Sequence, residues 1–220
     1  MTNYVFKAGN NNLAPLLLLH STGGDEHQLL AIADQIAPTH PILSIRGRIN
    51  QQGSNRYFKL HGSGGFTKAN FDLESLNEES SWLADEIVRL AKKHEIKLQN
   101  MIALGYSNGA NVALNMLLKG TCQFNKVIAF HGMQLEPIQS LQQVNQTNLF
   151  LSYANNDPIV PENEFALLKA DLETSGCQVT SFETTSGHQL TQDEVMAAKN
   201  WLDKIRHASK TSYLKKWRIK

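Results

Sequence analysis

Two cysteines in 220 residues, Cys122 and Cys177, are too few and too far apart for a disulfide framework or a metal site. No apolar run approaches the roughly 20 residues a membrane span needs. The opening residues, Met-Thr-Asn-Tyr-Val-Phe-Lys, lack the basic start and long apolar stretch of a secretory signal. Neither sign of charge dominates. The 21 Lys and Arg against 20 Asp and Glu leave a net charge of +1, so no global field points to nucleic acid. Internal repeats and low-complexity tracts are absent. These absences lead to the expectation of a cytoplasmic protein with reduced thiols and no membrane span.

What remains is an ordinary globular composition, 41% hydrophobic and 19% charged. The length suits one α/β domain, which buries roughly 70% of its unfolded surface and needs no staples. Short apolar runs alternate with helical patterns. Tyr4 to Phe6 reads as an edge strand, and Pro15 to His20 and Pro41 to Ile45 as buried strands. Further strands are expected at Met101–Leu104, Lys126–His131, Leu149–Ala154 and Val179–Thr184. Between them lie helical patterns at 29–36, 78–94, 110–119, 162–175 and 191–205. Asp25 caps the first of these if the loop before it is a plain strand-to-helix turn, and Ser80 or Ser81 starts the second. Thr191 and Glu194 have the spacing of a capping box. Strands alternating with helices imply a mostly parallel sheet covered on both faces.

The stretch 101–119 is the most informative. An apolar strand leads into Gly105-Tyr106-Ser107-Asn108-Gly109, and a run rich in Ala, Leu and Met follows, stopped by Gly120. G-x-S-x-G between a strand and a helix is the setting of a nucleophilic serine. The serine sits on a sharp turn, and glycines remove side chains that would clash there. Serine is a weak nucleophile until a base takes its proton. Histidine suits that role, and a carboxylate is needed to hold its tautomer. The chain order expected with this turn is Ser, then an acid, then His. After Ser107 come Asp157, in a polar turn following a strand, and His188, in the loop after the last strand. Loops that follow parallel strands gather at one sheet edge, so these three and the Gly-rich loop at Ser21–His27 share that edge. That loop can turn backbone N–H groups toward an anion, or it can be a plain strand-to-helix turn. His131 ends a strand and could line the pocket, but it precedes the aspartate.

Four stretches carry a resemblance: Leu-Leu-His-Ser-Thr-Gly-Gly-Asp-Glu at 18–26, Ala-Leu-Gly-Tyr-Ser-Asn-Gly-Ala-Asn at 103–111, Asp157-Pro158-Ile159-Val160-Pro161, and Gly187-His188. With these in order over roughly residues 13–205, the chain resembles the carboxylesterase/phospholipase family of small α/β-hydrolases, which includes acyl-protein thioesterases. Within it the likeness is to bacterial esterases of the hydroquinone and quinone-stress type. The resemblance implies a Ser107–His188–Asp157 triad and an oxyanion hole from the backbone N–H groups of Thr22 and Asn108. It implies a small ester substrate and neither a cofactor nor a metal. One departure is visible: such proteins usually carry His-Gly where this chain has His20-Ser21, and glycine reaches backbone angles that serine adopts less easily.

The expectations are therefore an α/β-hydrolase, with a mostly parallel central sheet and helices on both faces, acting as a serine carboxylesterase on small acyl esters. An acyl thioesterase or lysophospholipase with the same triad is the alternative, as is a hydrolase-fold binding protein with negligible turnover. One domain is expected over residues 1–205. Within it, 46–77 is basic early on, rich in glycine and aromatics, and reads as a lid or pocket wall. The substrate pocket is expected to use His20, Tyr106, Arg56, Phe58, Met133 and Ile159. Residues 206–220 form a basic tail with Tyr213, Leu214, Trp217 and Ile219 interleaved, suited to a surface or partner contact, with a homodimer as one outcome.

Overall fold

The computed structural model describes residues 2–62, 65–136 and 147–217, the stretch 208–217 by its backbone alone. In chain order the elements are β1 (Tyr4–Lys7), β2 (Leu16–Leu19), α1 (Leu30–Ile36), β3 (Ile42–Ile45), β4 (Ile49–Gln51), β5 (Ser54–Arg56), α2 (Leu73–Lys93), β6 (Ile102–Tyr106), α3 (Asn108–Leu118), β7 (Lys126–Phe130), β8 (Asn148–Ala154), α4 (Glu162–Thr174), β9 (Gln178–Thr184) and α5 (Gln192–Trp217). The strand order β1-β3-β2-β6-β7-β8-β9 makes one seven-stranded sheet. Only β1, at the edge, runs antiparallel.

Because side chains alternate along a strand, parity assigns them to faces. Leu17, Leu19, Ala103, Val127, Ala129, Leu149 and Leu151 pack in one core with α2, α3 and α4. Leu16, Leu18, Ile102, Leu104, Ile128, Phe130 and Phe150 pack in the other with α1 and α5. Both faces being covered, the central strands read as continuous apolar runs. The chain reverses its direction of travel across the sheet between β2 and β6. That crevice, at the carboxyl ends of the strands, is where open α/β sheets bind ligands.

Three expected boundaries move. The first turn of α2 lies at Leu73, not near Ser80, because Asp72 caps it by accepting from the Ser75 N–H at 2.9 Å. Asp25 does not cap α1; it accepts from His27 N–H at 2.9 Å and closes a local turn. The last helix continues past Ile205 to Trp217, since no Gly or Pro interrupts that stretch. The tail side chains Tyr213, Leu214, Trp217 and Ile219 lie outside the described residues. Residues 46–77, expected as one long excursion, contain a small hairpin, β4 with β5, and the first turn of α2.

The junction of β6 and α3 is the tightest place in the fold. A Cβ on Gly109 would stand 2.0 Å from the Leu19 carbonyl oxygen, and one on Gly105 would stand 2.6 Å from the Ala110 nitrogen. Glycine at 109 lets helix α3 approach β2, and glycine at 105 lets it lie against β6. Overpacking of this kind costs about 1–3 kcal/mol, more where backbone is the obstacle. Gly109→Ala is therefore expected to lower the unfolding free energy by at least that amount, read as a lower urea midpoint at unchanged m-value. An unaltered midpoint would show that α3 is free to move away from β2.

Candidate active site

Ser107 stands between β6 and α3 with φ 51° and ψ −112°. A left-handed φ is strained for serine, and the surroundings hold it there. Its N–H donates to the Phe130 carbonyl on β7 at 2.9 Å, and its own carbonyl accepts from Asn111 N–H at 2.9 Å as α3 begins. The hydroxyl is thus held at the helix N-terminus, where the backbone dipole favours developing negative charge.

Three loops bring the partners. His188, after β9, places Nε2 2.8 Å from Ser107 Oγ. Its Nδ1 lies 2.7 Å from Asp157 Oδ2, in the loop after β8. Asp157 Oδ1 accepts from the N–H groups of Ile159 at 2.8 Å and Val160 at 3.1 Å. Pro158, between Asp157 and Ile159 in sequence, has no N–H to compete. The carboxylate side chain has no solvent exposure.

A second imidazole meets the same oxygen. His131, one residue past β7 with φ 51°, places Nδ1 2.9 Å from Asp157 Oδ2. On its far side, Nε2 lies 2.9 Å from Glu194 Oε1. The side chains of His131 and Glu194 have no exposure. The other Glu194 oxygen accepts from the Thr191 N–H at 2.8 Å and hydroxyl at 2.7 Å. The capping box read from the sequence is thus present, and its carboxylate does a second job. His131 does not line the cleft: its ring is enclosed behind the aspartate.

Burial opposes charge on all three groups, and their mutual bonds outweigh it. Against the burial that would lower it, the hydrogen bond to Asp157 and the charges of Asp157 and Glu194 push His131 up to about 9. Burial would raise Asp157, but hydrogen bonds from His131, His188 and the two amides hold it well below the usual carboxylate range. Glu194 is likewise lowered, its contact with His131, the neighbouring Ser152 and the bonds from Thr191 outweighing its burial. At neutral pH two carboxylates and one imidazolium leave the cluster behind His188 with one net negative charge. His131, Asp157 and His188 are also the one group among the described residues with the composition of a metal site, their ligand atoms within 4.8 Å of one another. Hydrogen bonding accounts for them: each Nδ1 directs its proton at the shared oxygen.

Two residues expected in the pocket lie elsewhere. His20 is buried, its Nδ1–H donating to the Ser21 carbonyl at 2.7 Å and its Nε2 accepting from Gly47 N–H at 3.0 Å. With both ring nitrogens engaged by backbone, it orders the loop after β2. Tyr106 donates its hydroxyl to the His188 carbonyl at 2.7 Å and stacks on the His188 ring at 5.8 Å. It braces the histidine rather than the cleft. Ser21, where glycine is usual, avoids positive φ, and its N–H donates to Gln28 Oε1 at 2.8 Å.

The structure brings Thr22, Ser107, Asn108, Arg56, Phe58, Met133 and Ile159 to one narrow cleft. As the first residue of α3, Asn108 has an N–H with no carbonyl one turn back to bond. Its side-chain oxygen accepts from Tyr57 N–H at 2.9 Å, tying the serine turn to the 46–77 segment.

The buried ion cluster has a stability signature. The raised His131 value means that its contribution is complete below the ordinary 6.5 and is lost as pH climbs through about 9. A shift of that size corresponds to about 3 kcal/mol. The unfolding free-energy gap between wild type and His131→Gln is expected to narrow by about 3 kcal/mol between pH 6 and pH 9.5 in urea titrations. A gap independent of pH would mean that His131 is neutral in the fold.

Comparison with known proteins gives the family. The phospholipase/carboxylesterase family profile matches residues 3–206. MhqD of Bacillus subtilis (strain 168) is 32% identical over 204 residues, covering 90% of this chain and 96% of the relative. A solved structure of YahD with malic acid superposes with a TM-score of 0.91 at 66% identity, covering 93% of this chain and 99% of that one. A carboxylesterase from Bacillus cereus follows with a TM-score of 0.87 at 34% identity, covering 93% and 94%. The chain belongs to the phospholipase/carboxylesterase family of α/β-hydrolases and is an ester hydrolase by that membership.

Proposed function

We propose that the protein is a serine carboxylesterase acting on small acyl esters through an acyl-enzyme. The observation that carries this reading is the continuous hydrogen-bonded line from Ser107 Oγ through His188 to Asp157, with steps of 2.8 and 2.7 Å. Ser107 attacks the ester carbonyl while His188 Nε2 takes its proton. Asp157 keeps the His188 proton on Nδ1, so that Nε2 is the basic nitrogen. It also stabilises the imidazolium that forms. The tetrahedral oxyanion is received by the amides of Thr22 and Asn108, each worth roughly 3–4 kcal/mol in comparable sites. His188 returns the proton to the leaving alcohol, and water, activated the same way, releases the acid.

His131 and Glu194 enter this reading as positioning residues. A cationic His131 alone would cancel the Asp157 charge that His188 needs at the transition state. Glu194 restores it, and the pair holds the carboxylate from behind. Residues 46–77 supply the pocket wall through Arg56, Phe58, Leu60, Phe66 and Phe71. The small cleft favours short acyl groups over long lipid chains.

The test is hydrolysis of p-nitrophenyl esters of increasing acyl length. Turnover is expected to be highest for short chains, and Ser107→Ala is expected to lower kcat by about four orders of magnitude or more with a cooperative thermal melt retained. A fluorophosphonate probe is expected to add mass at Ser107. Wild-type turnover surviving in Ser107→Ala would refute the assignment.

A further inference from the structure

One charged side chain lines the cleft, and it has no partner. Arg56 closes β5 on the wall opposite the serine turn. Its Nε and Nη1 are shut off from solvent and make no hydrogen bond. The guanidinium carbon sits 4.9 Å from the centre of the Phe66 ring, so the cation is packed against an aromatic face that also lines the cleft. Burial lowers its pKa, and no carboxylate acts in the other direction.

The other arginines of this region behave differently. Arg46 reaches Glu26 at 2.5 Å, and Arg48 makes a two-point contact with Glu79 at 2.7 and 3.1 Å. Arg89 pairs with Glu86 and Arg206 with Asp203. Of the arginines among the described residues, Arg56 alone has no carboxylate within ion-pair reach. None of the side chains outside the described set, at 1, 63–64, 137–146 and 208–220, is acidic. The chain itself therefore offers no side-chain counter-ion there. Leaving a desolvated guanidinium unsatisfied is costly, and a ligand that supplies the anion removes the cost.

We propose that Arg56 recognises a carboxylate on the substrate, and that the preferred substrates are esters whose acyl part ends in a carboxylate, the hemiesters of small dicarboxylic acids. The proposal rests on the esterase reading above and names its substrate class. A planar fork of N–H donors fits a carboxylate edge. A single cation in an otherwise uncharged cleft balances one negative charge, which suits a carboxylate better than a doubly charged phosphate. The acyl side follows from the order of events: the alcohol departs first, while the acyl group stays on Ser107 until water releases it. A counter-ion on the acyl group remains beside Arg56 through both half-reactions.

The experiment compares two esters of equal length that differ in terminal charge, p-nitrophenyl hydrogen adipate and p-nitrophenyl methyl adipate, by nitrophenolate release. The readout is the ratio of their kcat/KM values within one protein, so a general loss of activity cancels. Wild type is expected to favour the charged ester by about tenfold or more, the range of a charge-assisted hydrogen bond. Arg56→Gln is expected to bring the ratio to about one or below, and Arg56→Lys to keep part of it. A wild-type ratio near one, or a preference that survives Arg56→Gln, overturns the proposal. Failure of both esters in wild type would count against the esterase reading instead. In that case adipate itself is titrated into Ser107→Ala protein by thermal shift. Stabilisation that disappears in the Ser107→Ala, Arg56→Gln double variant upholds carboxylate recognition, and absence of stabilisation overturns it.

Discussion

The Asp157 carboxylate is the point on which the site depends. Its two oxygens take four hydrogen bonds, from His188, His131 and the amides of Ile159 and Val160. Through them it joins the loops after β7, β8 and β9, and through His131 it reaches Glu194 on α5. A bare carboxylate in this position would be expelled or protonated, because burial penalises its charge. Four donors reverse that preference and fix the ring of His188 at the same time. Electrostatics and geometry are here the same interaction: the bonds that keep Asp157 ionised also aim the base at the serine.

Around that group the sheet does the placing. Parallel strands deliver their following loops to one edge, so residues far apart in the chain converge without long excursions. The crevice between β2 and β6 sets Thr22 beside Ser107, and glycines at 109 and 105 allow α3 to close on β2 and β6. The strain in Ser107 is tolerated because its N–H is bonded to β7 and its carbonyl to α3. The 46–77 segment then closes the cleft with aromatic rings and one arginine. Polar links such as Asn108 to Tyr57 N–H hold that wall to the serine turn.

Much of this was legible in the chain. The alternation of strands and helices, the turn around Ser107 and the order Ser, Asp, His follow from local pattern and position. What was hidden depended on tertiary contact. His131 reads as a strand end, and Glu194 as half of a capping box. The box explains only one of the two carboxylate oxygens, and that surplus was the available signal. The start of α2 was missed because Ser75, Glu79 and Ser80 lie on its buried face, where polar residues break the apolar rhythm. Glu79 is there as the partner of Arg48, a contact no spacing rule predicts. His20 and Tyr106 are near the nucleophile in sequence or space, yet their polar atoms are taken up by backbone carbonyls and amides. Only the fold tells a residue that supports the site from one that faces the ligand.

One buried aspartate holds two imidazoles, one of them charged. Nitrogen-15 NMR of labelled histidines measures this directly. At pH 7.5 both ring nitrogens of His131 are expected to be protonated, and the Nδ1 protons of His131 and His188 are both expected to show hydrogen bonding that Asp157→Asn abolishes. A His131 with one bare nitrogen at that pH would contradict it.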